Sequence, residues 1–131
     1  MKRFLFLSLA FVLLMGAALS VSAQKATRIT FKKGTRSAVV TGTLNGFKGK
    51  RVFVIRVRAG QTMTTEDIGT NPVTLWIKGP PGSNYEQDMA ADCHSRNEIS
   101  PTDAGDYKIT VVECEKADPW KGSFKFRVKV R

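Results

Sequence analysis

The chain has 131 residues, of which 42% are hydrophobic, and a formal net charge of +10 at neutral pH. Its length allows one small domain and hardly more. The charge does not indicate a nucleic-acid-binding protein, because the sequence has neither a groove-reading motif nor a stacking platform of interleaved aromatic residues.

The N-terminal segment has the pattern of a secretory signal peptide. Two basic residues precede an apolar run that ends at Met15, and Val21-Ser22-Ala23 stands before Gln24. This spacing predicts a signal peptide over 1–23, and the apolar run is too short to span a bilayer comfortably. We therefore expect a periplasmic or secreted domain of residues 24–131, with no stable membrane insertion after cleavage. Cleavage removes the two basic residues and no acidic ones, which lowers the net charge from +10 to +8.

The positive charge of the exported chain has two interpretations. It favours anionic surfaces, such as cell-wall carboxylates or lipid phosphates. It also fits a soluble face that happens to be basic.

Short stretches of alternating apolar and polar residues follow one another along the mature chain. Such alternation predicts strands, because successive side chains of a strand point to opposite faces of a sheet. Gly79-Pro80-Pro81-Gly82 ends one of them, since proline donates no ladder hydrogen bond. A short helical turn is expected between Glu86 and Ala91. The predicted strands cover 28–31, 37–44, 51–58, 62–66, 73–78, 107–114 and 123–130.

About seven to eight short strands at this spacing indicate an all-β fold, an antiparallel β-sandwich of jelly-roll-like type. The alternation also assigns faces: Lys125, Arg127 and Lys129 should be exposed. The residues expected in the core are Phe53, Ile55, Val57, Leu75, Ile77, Tyr107, Ile109, Val111, Phe124, Phe126 and Val128.

The two cysteines, Cys93 and Cys114, are expected to form a disulfide, because an exported chain matures in an oxidising compartment. The bridge would close a loop of about twenty residues and contribute roughly 3 kcal/mol. A catalytic thiol would need an oriented base. His94 is the sole histidine, and residues adjacent in sequence usually point apart, so Cys93 and His94 form a poor dyad.

The chain has no recognisable catalytic, cofactor or metal motif. It lacks a nucleophile with an oriented base, a glycine-rich phosphate loop and zinc-ligand spacing. Asp88, Asp92 and His94 match no ligand signature, so no metal is expected. Asp103 and Asp106 are interpreted as turn formers, although a glycosidase carboxylate pair stays open. We expect a protein that acts by binding, without a cofactor, and not an enzyme.

Trp76 points away from the predicted core by alternation. Its ring could stack on a sugar, or it could cover the edge of a sheet, which is the commoner outcome for a lone tryptophan.

Five landmarks along the chain together resemble a known family. They are a Phe-x-Lys-Gly turn at 31–34, Gly-x-Leu at 42–44, Ala-Gly-Gln at 59–61, Gly-Pro at 79–80 and Gly-x-Tyr at 105–107. Their order resembles the bacterial pre-peptidase C-terminal domain, a secreted β-sandwich. Within that fold it is most similar to the periplasmic inhibitors of g-type lysozyme. The resemblance covers nearly the whole mature chain.

The resemblance implies a site made of loops at one end of the sandwich, which enter the substrate cleft of a lysozyme. The family's Ser-Gly-x-Tyr motif corresponds to Ala104-Gly105-Asp106-Tyr107, so an alanine replaces the serine. Phe47 occupies the loop in which the family presents an aromatic residue. Basic residues follow the family's penultimate strand, and here Lys116 comes after Glu115. The implied partner-binding residues are Phe47, Ala104, Gly105, Asp106, Tyr107 and Lys116.

Two functional hypotheses follow from the resemblance. The first is a g-type lysozyme inhibitor, or a diverged relative, that acts by loop insertion. The alternative is a pre-peptidase-type accessory module that binds cell-wall or other polysaccharide and has no inhibitory activity. Gly105 and Tyr107 also have a purely structural interpretation, in which the glycine supplies a positive φ angle and the tyrosine ring caps the core.

Overall fold

The structure, a computed structural model, describes residues 25–87, 93 and 96–131. The predicted signal peptide lies outside these residues, as does most of the predicted helical turn. Within the described ranges, no helix is long and apolar enough to cross a membrane. The strands of these ranges are β1 (Thr27–Arg28), β2 (Ser37–Asn45), β3 (Lys50–Val57), β4 (Met63–Asp67), β5 (Val73–Lys78), β6 (Arg96–Ile99), β7 (Gly105–Glu113) and β8 (Lys121–Val130).

The strands form two four-stranded sheets, which confirms the predicted β-sandwich. The first sheet has the order β1-β3-β7-β5 and the second has the order β2-β8-β4-β6. All neighbouring strands are antiparallel except β1 and β3, which are parallel. The long strands β7 and β8 lie inside their sheets, so each carries hydrogen bonds on both edges.

The core lies between the two sheets and contains every residue expected there. The ring of Phe53 in β3 points inward and faces the rings of Phe124 and Phe126 in β8, at centroid distances of 6.2 and 5.6 Å. Lys125 and Arg127 alternate with these two rings and are exposed. The alternation of apolar and polar residues therefore predicted the faces of β3, β7 and β8 correctly, because one face of each strand is buried against the other sheet.

Strand β6 was missed in the sequence, for a physical reason. It pairs only with β4 and ends its sheet, and of its four residues only Ile99 is buried. One apolar residue in four gives no alternation to detect.

The free edge of β5 is covered by a side chain instead of a strand. The side-chain amide of Gln87 accepts a hydrogen bond from Ile77 N at 2.6 Å and donates one to Leu75 O at 2.8 Å. It also donates to Asn97 Oδ1 of β6 at 3.4 Å, which links the edges of the two sheets. An edge strand whose polar groups are occupied in this way is protected from pairing with another chain.

The predicted disulfide between Cys93 and Cys114 is present, with a Cα–Cα distance of 5.0 Å. Cys93 N also donates a hydrogen bond to Thr74 Oγ1 at 2.7 Å. Together these contacts hold Cys93 against the first sheet.

Candidate functional site

The loops of interest lie at two opposite ends of the sandwich. The turn end is defined by the connections 29–36, 58–62 and 100–104. The disulfide end is defined by the connections 46–49, 68–72 and 114–120. The register fixes this division, because Val57 pairs with Gly105 at one end of the first sheet and Lys50 pairs with Val112 at the other.

The expectation that all the implied site residues gather at one end is wrong. Ala104, Gly105, Asp106 and Tyr107 lie at the turn end, whereas the loops of Phe47 and Lys116 lie at the disulfide end. The residues that begin and end β7 are separated by eight strand steps, or about 26 Å. Successive connections of an antiparallel sandwich lie at alternate ends. The end at which a loop lies therefore depends on the number of strands before it, and the five sequence landmarks alone do not give that number.

Gly105 is required by the geometry of the turn. Its φ angle is +133°, and a Cβ placed on it would lie 2.7 Å from Cβ of Pro80. Real Cβ atoms essentially never approach another carbon so closely, so a side chain here would displace the proline. The glycine thus lets the turn pack against the Gly79-Pro80 segment.

Tyr107 supports the turn from below. Its side chain is completely buried, and its hydroxyl accepts a hydrogen bond from Asp103 N at 3.0 Å. Its ring meets the ring of Tyr85 edge to face at 6.2 Å. The tyrosine therefore presents no surface to a partner and positions the turn, as its structural interpretation predicted.

Thr102 ties two connections of the turn end together, although the sequence analysis did not single it out. Its buried hydroxyl donates to Arg58 O at 2.6 Å and accepts from Gln61 N at 3.0 Å. Its backbone N donates to Gln61 O at 2.8 Å, and its carbonyl accepts from Gly60 N at 2.9 Å. A buried hydroxyl with both roles satisfied rigidifies the loops that it joins.

Asp106 points to the outer face of the first sheet and is held there by two arginines. Arg28 donates to both of its carboxylate oxygens at 3.0 Å, and Arg56 Nε lies 3.6 Å from Oδ1. The hydrogen bonds from Arg28 hold the pKa of the Asp106 carboxyl below its ordinary value, because they favour the charged form. Asp106 therefore joins the short strand β1 to β7.

Ala104 is exposed and lines a cleft of about 760 Å³ at the turn end. Three arginines also line this arginine cleft: Arg36, Arg56 and Arg58. None of these three residues was predicted from the sequence. The signal that could have found them is that residues 25–65 contain no aspartate or glutamate.

The disulfide end brings the loops of Phe47 and Lys116 together. Gly46 N donates to Trp120 O at 2.9 Å, which joins the two connections, and the side chain of Phe47 is 42% exposed. Glu113 lies beneath them, fully buried, and its Oε1 accepts a hydrogen bond from Trp120 N at 2.7 Å. Its Oε2 has no hydrogen-bond partner among the described residues.

Trp76 lies on the outer face of the first sheet, opposite Thr110, and is half-buried. Whether it stacks on a sugar stays a prediction. Asp88, Asp92 and His94, considered above as metal ligands, lie outside the described residues. Among the residues that are described, no three histidine, cysteine or acidic side chains are placed to share a metal ion.

Three crystal structures share the fold of this chain. Aeromonas hydrophila PliG, a periplasmic lysozyme inhibitor of g-type lysozyme, has a TM-score of 0.63 and 22% identity, over 81% of this chain and 96% of that protein. Salmonella Typhimurium PliG, also a periplasmic lysozyme inhibitor of g-type lysozyme, has a TM-score of 0.59 and 16% identity, over 83% of this chain and 100% of that protein. A mutant of the Escherichia coli PliG has a TM-score of 0.57 and 17% identity, over 83% and 100%.

No protein-family profile and no curated protein matches the sequence of this chain. At identities of 22% and below, the three structural matches are likenesses of fold. The predicted resemblance to periplasmic inhibitors of g-type lysozyme is therefore confirmed for the fold, and function has to be argued from the site.

Proposed function

We propose that this protein is an exported periplasmic inhibitor of a g-type lysozyme and that it binds the enzyme through the turn end. The observation that supports the proposal most is the shared fold, which extends over almost the full length of three such inhibitors. The activity is binding alone, with no chemical step and no cofactor.

The turn end is the better candidate for contact because it is held rigid before binding. Thr102 joins two of its connections, Gly105 packs against Pro80, and Tyr107 supports the backbone of Asp103. A surface that is already ordered loses little conformational entropy when it docks. Ala104 stands exposed on this support and is the residue we assign to direct contact.

The residues implied by the family resemblance then take different roles. Ala104 touches the enzyme, whereas Gly105 and Tyr107 hold the turn and Asp106 is occupied by Arg28. Phe47 and Lys116 lie at the disulfide end, beyond the far end of β7, and are too far away to enter the same cleft.

The test compares substitutions at the two ends. Protein expressed as the full chain and recovered after export is titrated into a g-type lysozyme, and cell-wall lysis is measured. Ala104→Arg places a long side chain at the contact and should abolish inhibition. Phe47→Ala, at the far end, should leave inhibition within about twofold, and circular dichroism with melting curves confirms that both variants fold.

Restoring the serine hydroxyl sharpens the test. Ala104→Ser should strengthen inhibition about fivefold, since a hydrogen bond contributes roughly 1 kcal/mol. If the protein and this variant both leave the lysozyme fully active at high micromolar concentration, the inhibitor proposal fails. Loss of inhibition in Phe47→Ala but not in Ala104→Arg would instead place the contact at the disulfide end.

The proposed location has its own test. Expressed from its full chain in a Gram-negative host, the protein should appear in the periplasmic fraction with a mass that begins at Gln24. A full-length mass in the membrane fraction would contradict cleavage of the predicted signal peptide.

A further inference from the structure

The arginine cleft combines a positively charged wall with an apolar floor. Arg36, Arg56 and Arg58 supply the charge, and Val57 and Val130, two core residues, lie at the bottom beside the half-buried ring of Phe31. Its volume of about 760 Å³ lies within the range of roughly 300–1,000 Å³ that is typical of small-molecule sites.

The two sheets both contribute to the cleft. Arg56 and Val57 belong to β3 of the first sheet, and Val130 ends β8 of the second. Arg36 is attached to the second sheet, because its carbonyl accepts a hydrogen bond from Val130 N at 2.9 Å. The cleft therefore lies between the two sheets at the turn end, and both sheets contribute residues to its walls.

The charge of the cleft is not neutralised within the described part of the chain. Arg36 and Arg58 make no side-chain ion pair or hydrogen bond with any residue described there. Arg56 approaches Asp106 at 3.6 Å, but Arg28 already occupies both oxygens of that carboxylate, and the Arg56 side chain is 75% exposed. The three guanidinium groups around the cleft thus have N–H donors that no acceptor in the described part of the chain occupies.

A second basic pocket, at the disulfide end, differs in this respect. It has a volume of about 420 Å³ and is lined by Lys50, Arg51 and Lys121. The Arg51 guanidinium already donates to Thr43 O at 3.1 Å and to Thr43 Oγ1 at 3.4 Å. The guanidinium of this second pocket is therefore engaged in internal contacts, whereas those of Arg36 and Arg58 in the arginine cleft are not engaged within the described part of the chain.

We infer that the arginine cleft binds an oxyanion, a carboxylate or a phosphate, carried on a molecule with an apolar or sugar-ring face. Guanidinium groups match oxyanions because their planar fork donates two parallel hydrogen bonds. The cleft uses arginine alone and no lysine, which favours such geometric recognition over simple charge attraction. The ring of Phe31 gives the uncharged part of the molecule a surface to lie on.

This inference does not depend on lysozyme inhibition, and its test has a separate readout. Inorganic phosphate, trigalacturonate and the uncharged maltotriose are titrated into protein purified after export, and backbone amide shifts are followed by NMR. Phosphate and trigalacturonate should shift the amides of Arg58, Ala104 and Gly105, and maltotriose should not. The probe that binds more tightly identifies the oxyanion. Tighter binding of trigalacturonate indicates a carboxylate, and tighter binding of inorganic phosphate indicates a phosphate.

Variants of equal charge change separate a built site from general attraction. Arg36→Gln with Arg58→Gln should weaken binding of the anionic probes at least tenfold. Lys48→Gln with Lys125→Gln removes the same charge from exposed positions elsewhere and should change binding less than about twofold. Melting curves show whether each variant keeps its fold.

Phe31→Leu isolates the role of the ring, since it keeps an apolar side chain in the core. It should weaken trigalacturonate several-fold and leave inorganic phosphate unchanged. Three results would overturn the inference. The first is that the two double variants weaken binding of the anionic probes equally, and the second is that no amide shift occurs at Arg58, Ala104 and Gly105. The third is that the protein binds anionic vesicles and that both double variants reduce this binding to the same extent.

Discussion

The turn end and the disulfide end close the same two sheets, but different interactions hold them. At the turn end, the buried hydroxyl of Thr102 joins two connections, and the side chains of Arg36 and Arg58 make no ion pair with any residue that the structure describes. At the disulfide end, the bond between Cys93 and Cys114 fastens the chain, and one buried oxygen of Glu113 has no hydrogen-bond partner among the described residues.

The difference shows how a small sandwich separates stability from recognition. A covalent link and a buried carboxylate hold one end, whereas hydrogen bonds to the backbone hold the other. The backbone groups satisfied by this threonine make no demand on Arg36 and Arg58, so these two side chains can meet a partner.

The largest effect is expected from removing the disulfide. Replacing Cys93 and Cys114 by serine should lower the free energy of unfolding by about 3 kcal/mol, because the bridge closes a loop with a sequence separation of 21 residues. Urea unfolding measures the change. Hydrogen exchange should rise at 114–120 and stay unchanged at 58–62, and a uniform rise would show that the ends are coupled.

The next effect concerns two glycines with positive φ angles, one at each end. Gly105→Ala should lower the free energy of unfolding by about 2–3 kcal/mol, because strain adds to the collision with Pro80. Gly46→Ala, with a φ angle of +76° and nothing within 4 Å of the added carbon, should lower it by about 1 kcal/mol.

Thermal or urea unfolding of these two variants tests the predicted order. Equal losses would mean that the contact with Pro80 adds nothing to the strain of the backbone. In that case the glycine of the turn is needed only for its φ angle.

A smaller effect is expected from Thr102→Val, which removes the hydroxyl and keeps the shape. The free energy of unfolding should fall by about 1–2 kcal/mol, because Arg58 O and Gln61 N lose their partner. Thr41→Val, at an exposed position of β2, is the control and should change stability little. Amide exchange at 58–62 should accelerate in Thr102→Val alone, and an unchanged rate would contradict the assigned role.

The smallest effect is electrostatic and belongs to Asp106. Its carboxyl pKa lies below the ordinary value of 3.8 because Arg28 donates to both oxygens. The contact therefore stabilises the fold fully above pH 3.8, and this contribution is lost as the pH falls through the lowered pKa. In Arg28→Gln, the pKa of the Asp106 carboxyl should return toward its ordinary value, whereas in Lys125→Gln it should be unchanged. NMR titration of the carboxyl carbon measures both values.

Much of the fold could be predicted from local patterns. The inward faces of β3, β7 and β8 followed from the alternation of apolar and polar residues, and the disulfide followed from two cysteines in a chain predicted to be exported. Strand β6 escaped because a single buried residue, Ile99, leaves no period. For the candidate site, the sequence pointed to the turn of Gly105 and Tyr107, but the contact of Gly105 with Pro80 joins distant parts of the chain and was not predicted.

By itself, the sequence determined the inward faces of β3, β7 and β8, because burial on a strand with one covered face repeats every second residue. Only the tertiary structure decided which loops share an end, since that depends on strand order and on the direction of each connection. It placed Phe47 and Lys116 opposite Ala104, and it brought Arg36 of one sheet beside Arg56 and Arg58 of the other. Contacts between residues far apart in sequence leave no local period, so the arginine cleft exists only once both sheets have closed on each other.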